Sequence, residues 1–169
     1  MSGAGVEITG AETALRALSE AHEKLANPFE MYDKIGSSLV TSTKKRFDEG
    51  VTPDNNPWPE SIRALVEGGQ TLVDSRNLRD SITHIASENS AEVGTNVIYA
   101  AVHQFGATII PKSADALRFS IPGIGFITSQ SVTIPARPFI GLSDDDEDEV
   151  EAIAYDYISQ AFGGSANAN

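Results

Sequence analysis

Three histidines, a run of acids and one short basic tract are the side chains with which this chain could do chemistry. His22, His84 and His103 could bind a transition metal or pass protons if they met. No two of them stand at the three- or four-residue spacing that aligns ligands on one helix face. His22 falls on an apolar helix stripe and reads as a packed or edge residue. Asp144 to Glu149 are six consecutive acids. Carboxylates could hold calcium, but a calcium loop alternates its ligands and turns on a glycine, and this run does neither. The acids read instead as a capped, solvated helix start, or as a surface that docks on a basic partner. Gly123-Ile-Gly125 lacks the Lys-Ser/Thr of a phosphate loop. No serine is flanked by glycines at nucleophile-elbow spacing. The absence of cysteine excludes disulfides, zinc-thiolate sites and thiol catalysis. No nucleophile, base and orienting group can be assembled, so no catalytic, cofactor or metal residue is assigned and no enzyme is expected.

The charge is uneven. The formal net charge is -12, yet Asp144 to Asp156 alone carries eight acids and no base. Outside that stretch 16 acids face 12 bases, so the body of the chain is near balance. A basic face for bare nucleic acid is not expected, because phosphate contacts need clustered Lys and Arg. The one compact basic run, Lys44-Lys45-Arg46, reads as a solvated helix face. No segment reaches the roughly 18 to 20 apolar residues of a membrane span, and the N-terminus lacks a signal-peptide pattern. The expectation is a soluble chain made in a cytoplasm, with no membrane partner.

The elements that must position these residues follow from spacing. Thr9 with Glu12 has capping-box spacing, and Leu15, Leu18, His22 and Leu25 form one stripe, which predicts a helix over 9–26. Asn27-Pro28 starts a second helix that runs to Glu49, with Gly50 as its stop. Pro53, Pro57 and Pro59 then stiffen a loop around Trp58, the only tryptophan. A short helix over 59–67 closes at Gly68-Gly69, and one helical turn fits 77–82. Strands are expected over 83–86 and 92–95, joined through Ser87 to Ser90, and over 117–121 and 126–134. Between them, 97–105 is apolar and broken by Gly106. Ser143 with Asp146 begins a final helix whose stripe runs Val150, Ile153, Ala154, Tyr157, Ile158, Ala161 and Phe162, until Gly163-Gly164. The fold class is therefore α+β: two N-terminal helices, a mainly antiparallel β-sheet in the middle, and a C-terminal amphipathic helix. One domain spans 1–169, with residues 1–27 as a candidate interaction arm and 163–169 as a flexible tail.

Several strings together resemble the phage virion morphogenesis family, the Mu G-like tail-completion proteins. They are Phe47-Asp-Glu-Gly50, Pro53-Asp54, Trp58-Pro59, Leu72 to Ile82, Val93-Gly-Thr-Asn96, Tyr99-Ala100, His103-Gln-Phe-Gly106 and Ile134-Pro-Ala-Arg-Pro-Phe-Ile-Gly141. The family carries a glycine where this chain has Ser75-Arg76. The resemblance implies a structural virion protein of a tailed bacteriophage, which completes the tail and joins it to the head at the neck. It implies a ring of identical subunits, taken as a hexamer, against connector and tail terminator or tail tube proteins. It carries no active-site residues. Read physically, Gly94 and Gly106 serve turns or close approach, and Tyr99, Phe105 and Phe139 belong to the core. His103-Gln104 caps a turn, and Arg137 makes an internal ion pair or meets a subunit interface. Trp58, Asp144, Asp145 and Asp146 complete the candidate structural and interface set. The alternative reading is an acidic protein-binding module, such as a host-protein inhibitor or DNA mimic.

Overall fold

Gly50 stops the longest of the described helices and sets the frame on which the rest is hung. In the computed structural model, which describes residues 10–121 and 123–163, α1 spans Ala11–Ala26 and α2 spans Phe29–Glu49. Gly50 takes φ 71°, a left-handed conformation that suits glycine, and its N–H closes on the Arg46 carbonyl. Asn27 Oδ1 accepts from the Phe29 N–H at 3.3 Å, so the Asn-Pro pair does start α2. The Thr9 end of the expected first capping box lies outside the described residues, and the residue before α1 is Gly10 with no side-chain cap. Short helices α3 (Ile62–Glu67) and α4 (Asn77–Asp80) follow.

The strands pair antiparallel, as the α+β reading expects, but among the described residues they form three separate two-stranded sheets. β1 (Thr83–Ala86) pairs with β2 (Ala91–Gly94), and α2 packs on both. The expected 126–134 strand is broken in two. β4 (Leu117–Ile121) pairs with β5 (Gly125–Ser129), while β6 (Val132–Ile134) turns away to pair with β3 (Ala107–Ile109). The Ser129 hydroxyl, bonded to the Ser131 carbonyl at 2.6 Å, makes the break locally. Residues 100–105 form a helix, α5 (Ala100–Phe105).

α6 (Asp144–Gly163) crosses back onto α1 and α2. Tyr157 OH donates to the carbonyls of Lys24 and Asn27, and Lys24 Nζ to Gln160 Oε1, so α1 and α6 run antiparallel. α1 meets α6 through its alanine side, with Ala21 and Ala161 buried. Its leucine stripe and His22 point to solvent instead. The half of the α6 stripe formed by Ile158 and Phe162 is also exposed. Gly163 is the last residue of α6, and the expected tail beyond it lies outside the described residues.

The core sits between α2, α4, α5 and the 137–140 segment. Phe47, Trp58, Leu78, Ile82, Ala100 and Phe139 form it. The Phe47 ring lies 5.4 Å from Trp58 edge-on and 5.0 Å from Phe139, an arrangement aromatic quadrupoles favour.

Candidate assembly surfaces

The strings that carried the resemblance bind one another. Gln104 Oε1 accepts from the main-chain N–H of Phe139 (3.0 Å) and Ile140 (3.1 Å), and its Nε2 donates to the Ile140 carbonyl at 2.8 Å. The Arg137 N–H donates to the His103 carbonyl at 2.7 Å. Gly106, at φ 73°, lets the next turn pass the same segment: a Cβ there would stand 2.9 Å from Ala136 N and 3.0 Å from Ile134 O. His103-Gln-Phe-Gly106 is thus a clamp on Ile134 to Gly141. Gly94 has no such need, because its Cβ position is open and its φ is not positive.

Trp58 is buried and ties the proline loop to the same segment, its Nε1 donating to the Pro138 carbonyl at 2.9 Å. Arg137 is buried, yet it meets no carboxylate. Its Nε and Nη2 donate to the carbonyls of Pro59 and Glu60 at 2.7 and 3.3 Å, so main-chain anchoring stands where an internal ion pair was one of the two expectations. Burial lowers its pKa below the ordinary arginine value. His103 is half-buried beside it, with Nδ1 out of reach of solvent and of any partner. Burial first, then the Arg137 charge, holds its pKa below 6.5, so the ring is neutral at neutral pH.

Two expected core residues are not core. Tyr99 is 44% exposed and Phe105 77%, since on a six-residue helix only Ala100 turns fully inward. Phe139 is core as expected. The acidic run divides as well. Ser143 Oγ donates to Asp146 Oδ2 at 2.7 Å and accepts from the Asp146 N–H at 3.2 Å, which is the expected cap. Asp146 is buried against Arg46, so the basic partner of this acid lies in its own chain. Asp144 and Asp145 remain exposed.

Sequence reasoning missed Arg46 by grouping it with Lys44 and Lys45 as a solvated face. Arg46 is 5% exposed and donates to the carbonyls of Phe139 (3.1 Å) and Gly141 (2.9 Å), to Ser42 Oγ and to Asp146. Its position seven residues after Leu39, on the stripe, was the signal available. Sequence reasoning also missed Arg79, whose Nε and Nη2 bind both Asp48 oxygens at 2.9 and 2.8 Å. That side-chain contact lowers the Asp48 pKa below 3.8. Arg76, where the resemblance leads to a glycine, holds φ 61°, a conformation that explains the preference.

Among the described residues no group of three His, Asp or Glu side chains could hold a metal ion. No described helix is long and apolar enough to cross a membrane. Among the described residues, exposed apolar side chains occur in several places, and two of these gather residues from neighbouring elements. One is α3 with the β4–β5 turn, where Ile62, Leu65, Ile124 and Phe126 are exposed. The other is the outer side of α1 and α6, with Leu15, Leu18, Tyr155, Ile158 and Phe162. Apolar patches of this kind mark interaction surfaces.

A family model described as the phage virion morphogenesis family matches residues 6–159. A protein named "Mu-like prophage FluMu G protein 2", from Haemophilus influenzae, is 31% identical over 153 residues, covering 90% of this chain and 94% of that protein. One named "Putative capsid assembly protein G", from Escherichia phage Mu, is 27% identical over 156 residues, covering 86% of each. No solved structure matches.

Proposed function

The chain belongs to the phage virion morphogenesis family, and on that premise we propose that it completes the tail and joins it to the head as a hexameric ring at the neck. The observation that carries the ring is the presence of two unlike exposed apolar surfaces on one small chain, at α3 with the β4–β5 turn and on α1 with α6. A closed ring repeats one heterologous contact by rotation, and such a contact needs two different surfaces per subunit. The work is binding rather than catalysis: the buried polar groups Arg46, Asp146 and Arg137 are spent on holding the chain's own segments. Its partners in this reading are connector and tail terminator or tail tube proteins, in the virion after assembly in the host cytoplasm.

The name of the phage Mu relative speaks of capsid assembly, and a null mutant separates that role from tail completion. Filled heads accumulating beside separate, unjoined tails are expected. A lysate with tails but no heads would overturn the neck reading in favour of the capsid. Gold-labelled antibody should decorate the neck of complemented virions, and label confined to the distal tip would equally overturn it.

A further inference from the structure

One line of exposed residues runs the length of α6. Asp144, Asp148, Glu151, Tyr155, Ile158 and Phe162 follow at alternating four- and three-residue steps, which keeps them on one face. The first half of the line is acidic and the second half apolar. On α1 the exposed leucines form a similar line. At roughly 100° per residue, each line is turned about a third of a turn from its helix's buried side, in the same sense. Because α1 and α6 run antiparallel, both lines face the same side of the pair. The result is one broad apolar face, acidic at the α6 start.

Elsewhere the chain carries its complement. β4 and β5 hydrogen-bond only to each other among the described strands. A lone two-stranded hairpin is marginal in water and gains from a further surface. Its turn reaches α3, where a Cβ on Gly123 would stand 2.8 Å from Val66. Phe126 is 74% exposed beneath the Arg118 guanidinium, which lies 5.0 Å from its ring. Residues 107–135 carry Lys112 and Arg118 against the single acid Asp115. Apolar and basic groups here match apolar and acidic groups there.

We propose that the β4–β5 arm of one subunit lies on the α1–α6 face of a second copy of this chain. Ile124 and Phe126 sit among Tyr155, Ile158 and Phe162, and Lys112 and Arg118 lie toward Asp148 and Glu151. This rests on the ring reading above and names the contact that repeats around the ring.

The chain has no cysteine, so Phe126→Cys with Ile158→Cys creates the only two thiols. Mild oxidation should give a ladder of covalent multimers on a non-reducing gel, while either single variant stops at dimers. In parallel, Phe126→Asp and Ile158→Asp should each reduce the assembled wild-type mass to that of the monomer. Mixed together they should form a dimer, since one intact arm and one intact face remain. Wild-type tryptophan fluorescence in both variants confirms that they are folded. If the wild type assembles but no ladder forms and both Asp variants still assemble, the arm contact is overturned and the ring stands. A wild type that stays monomeric with and without purified tails overturns both. Cross-linking of the arm to another tail protein, without a ladder, overturns the second copy as occupant.

Discussion

Arg46 and Asp146 are 100 residues apart in the chain and meet as a buried ion pair, each about 5% exposed. Arg46 also serves the carbonyls of Phe139 and Gly141, and Asp146 also caps α6 through Ser143. Removing one partner of such a pair strands the other charge in a poorly solvated place. Asp146→Ala should cost about 3 to 5 kcal/mol by urea denaturation. Asp144→Asn and Asp145→Asn, on exposed neighbours, should stay within about 0.5 kcal/mol. Equal effects at all three positions would show that Asp146 is no different from the rest of the run.

The acid side of the stability curve should show two components. Burial alone would raise the Asp146 carboxyl, but hydrogen bonds with Ser42 and Ser143 and the Arg46 charge outweigh it and hold it below 3.8. Its contribution is present above that ordinary value and is lost as pH falls through the lowered one. His103, also lowered, contributes above 6.5 and loses that contribution as pH falls below it. His103→Phe should flatten the upper component and Asp146→Asn the lower, in melting temperatures measured against pH. Unchanged slopes in both variants would remove these groups as the cause.

Trp58 reports on the clamp directly, since it is the only tryptophan and its indole N–H is bonded to Pro138. Trp58→Ala should cost about 3 to 5 kcal/mol. In the wild type, acrylamide should quench its fluorescence weakly until the unfolding transition. Strong quenching in native conditions would place the ring in solvent and contradict its burial.

Two glycines make a controlled pair. Gly106→Ala puts a methyl against the Ala136 and Ile134 backbone at a positive φ, and should destabilise by more than about 1 kcal/mol. Gly94→Ala meets open space without a positive φ, and should be near neutral. Matching losses at both sites would mean that the close approach at Gly106 is not what the glycine serves.

The legible parts of the fold were those written in local chemistry. Gly50, the Asn27-Pro28 junction and the Ser143-Asp146 cap each act within a few residues, and each fixed a helix end in the structure. The 126–134 segment was misread as one strand because no glycine or proline interrupts it, while its two halves pair with different strands, β4 and β3. Arg46 was invisible as a core residue because its neighbours Lys44 and Lys45 share its charge, and only the helix phase separates them. Tyr99 and Phe105 were placed inside by residue type, and a helix of one and a half turns has too little inner face to bury both. Of the candidate site, the motif strings were readable as strings. That His103-Gln-Phe-Gly106 clasps Ile134 to Gly141 depends on chain reversals no local signal encodes.

The clasp around Arg46 also fixes a sequence of events during synthesis. Its partners at Phe139, Gly141 and Asp146 lie 93, 95 and 100 residues downstream. A ribosome that has delivered α1 and α2 has therefore produced helices whose key cation has only Ser42 of its own helix to hold. Trp58 waits in the same way for Pro138, 80 residues later. Non-local closures of this span are slow and come late. The subunit cannot acquire its core until residues 138–146 have emerged, so a nascent fragment lacks the packed frame that carries its surfaces. Late closure acts as a quality gate: only chains that have reached α6 present the surfaces on which assembly would depend.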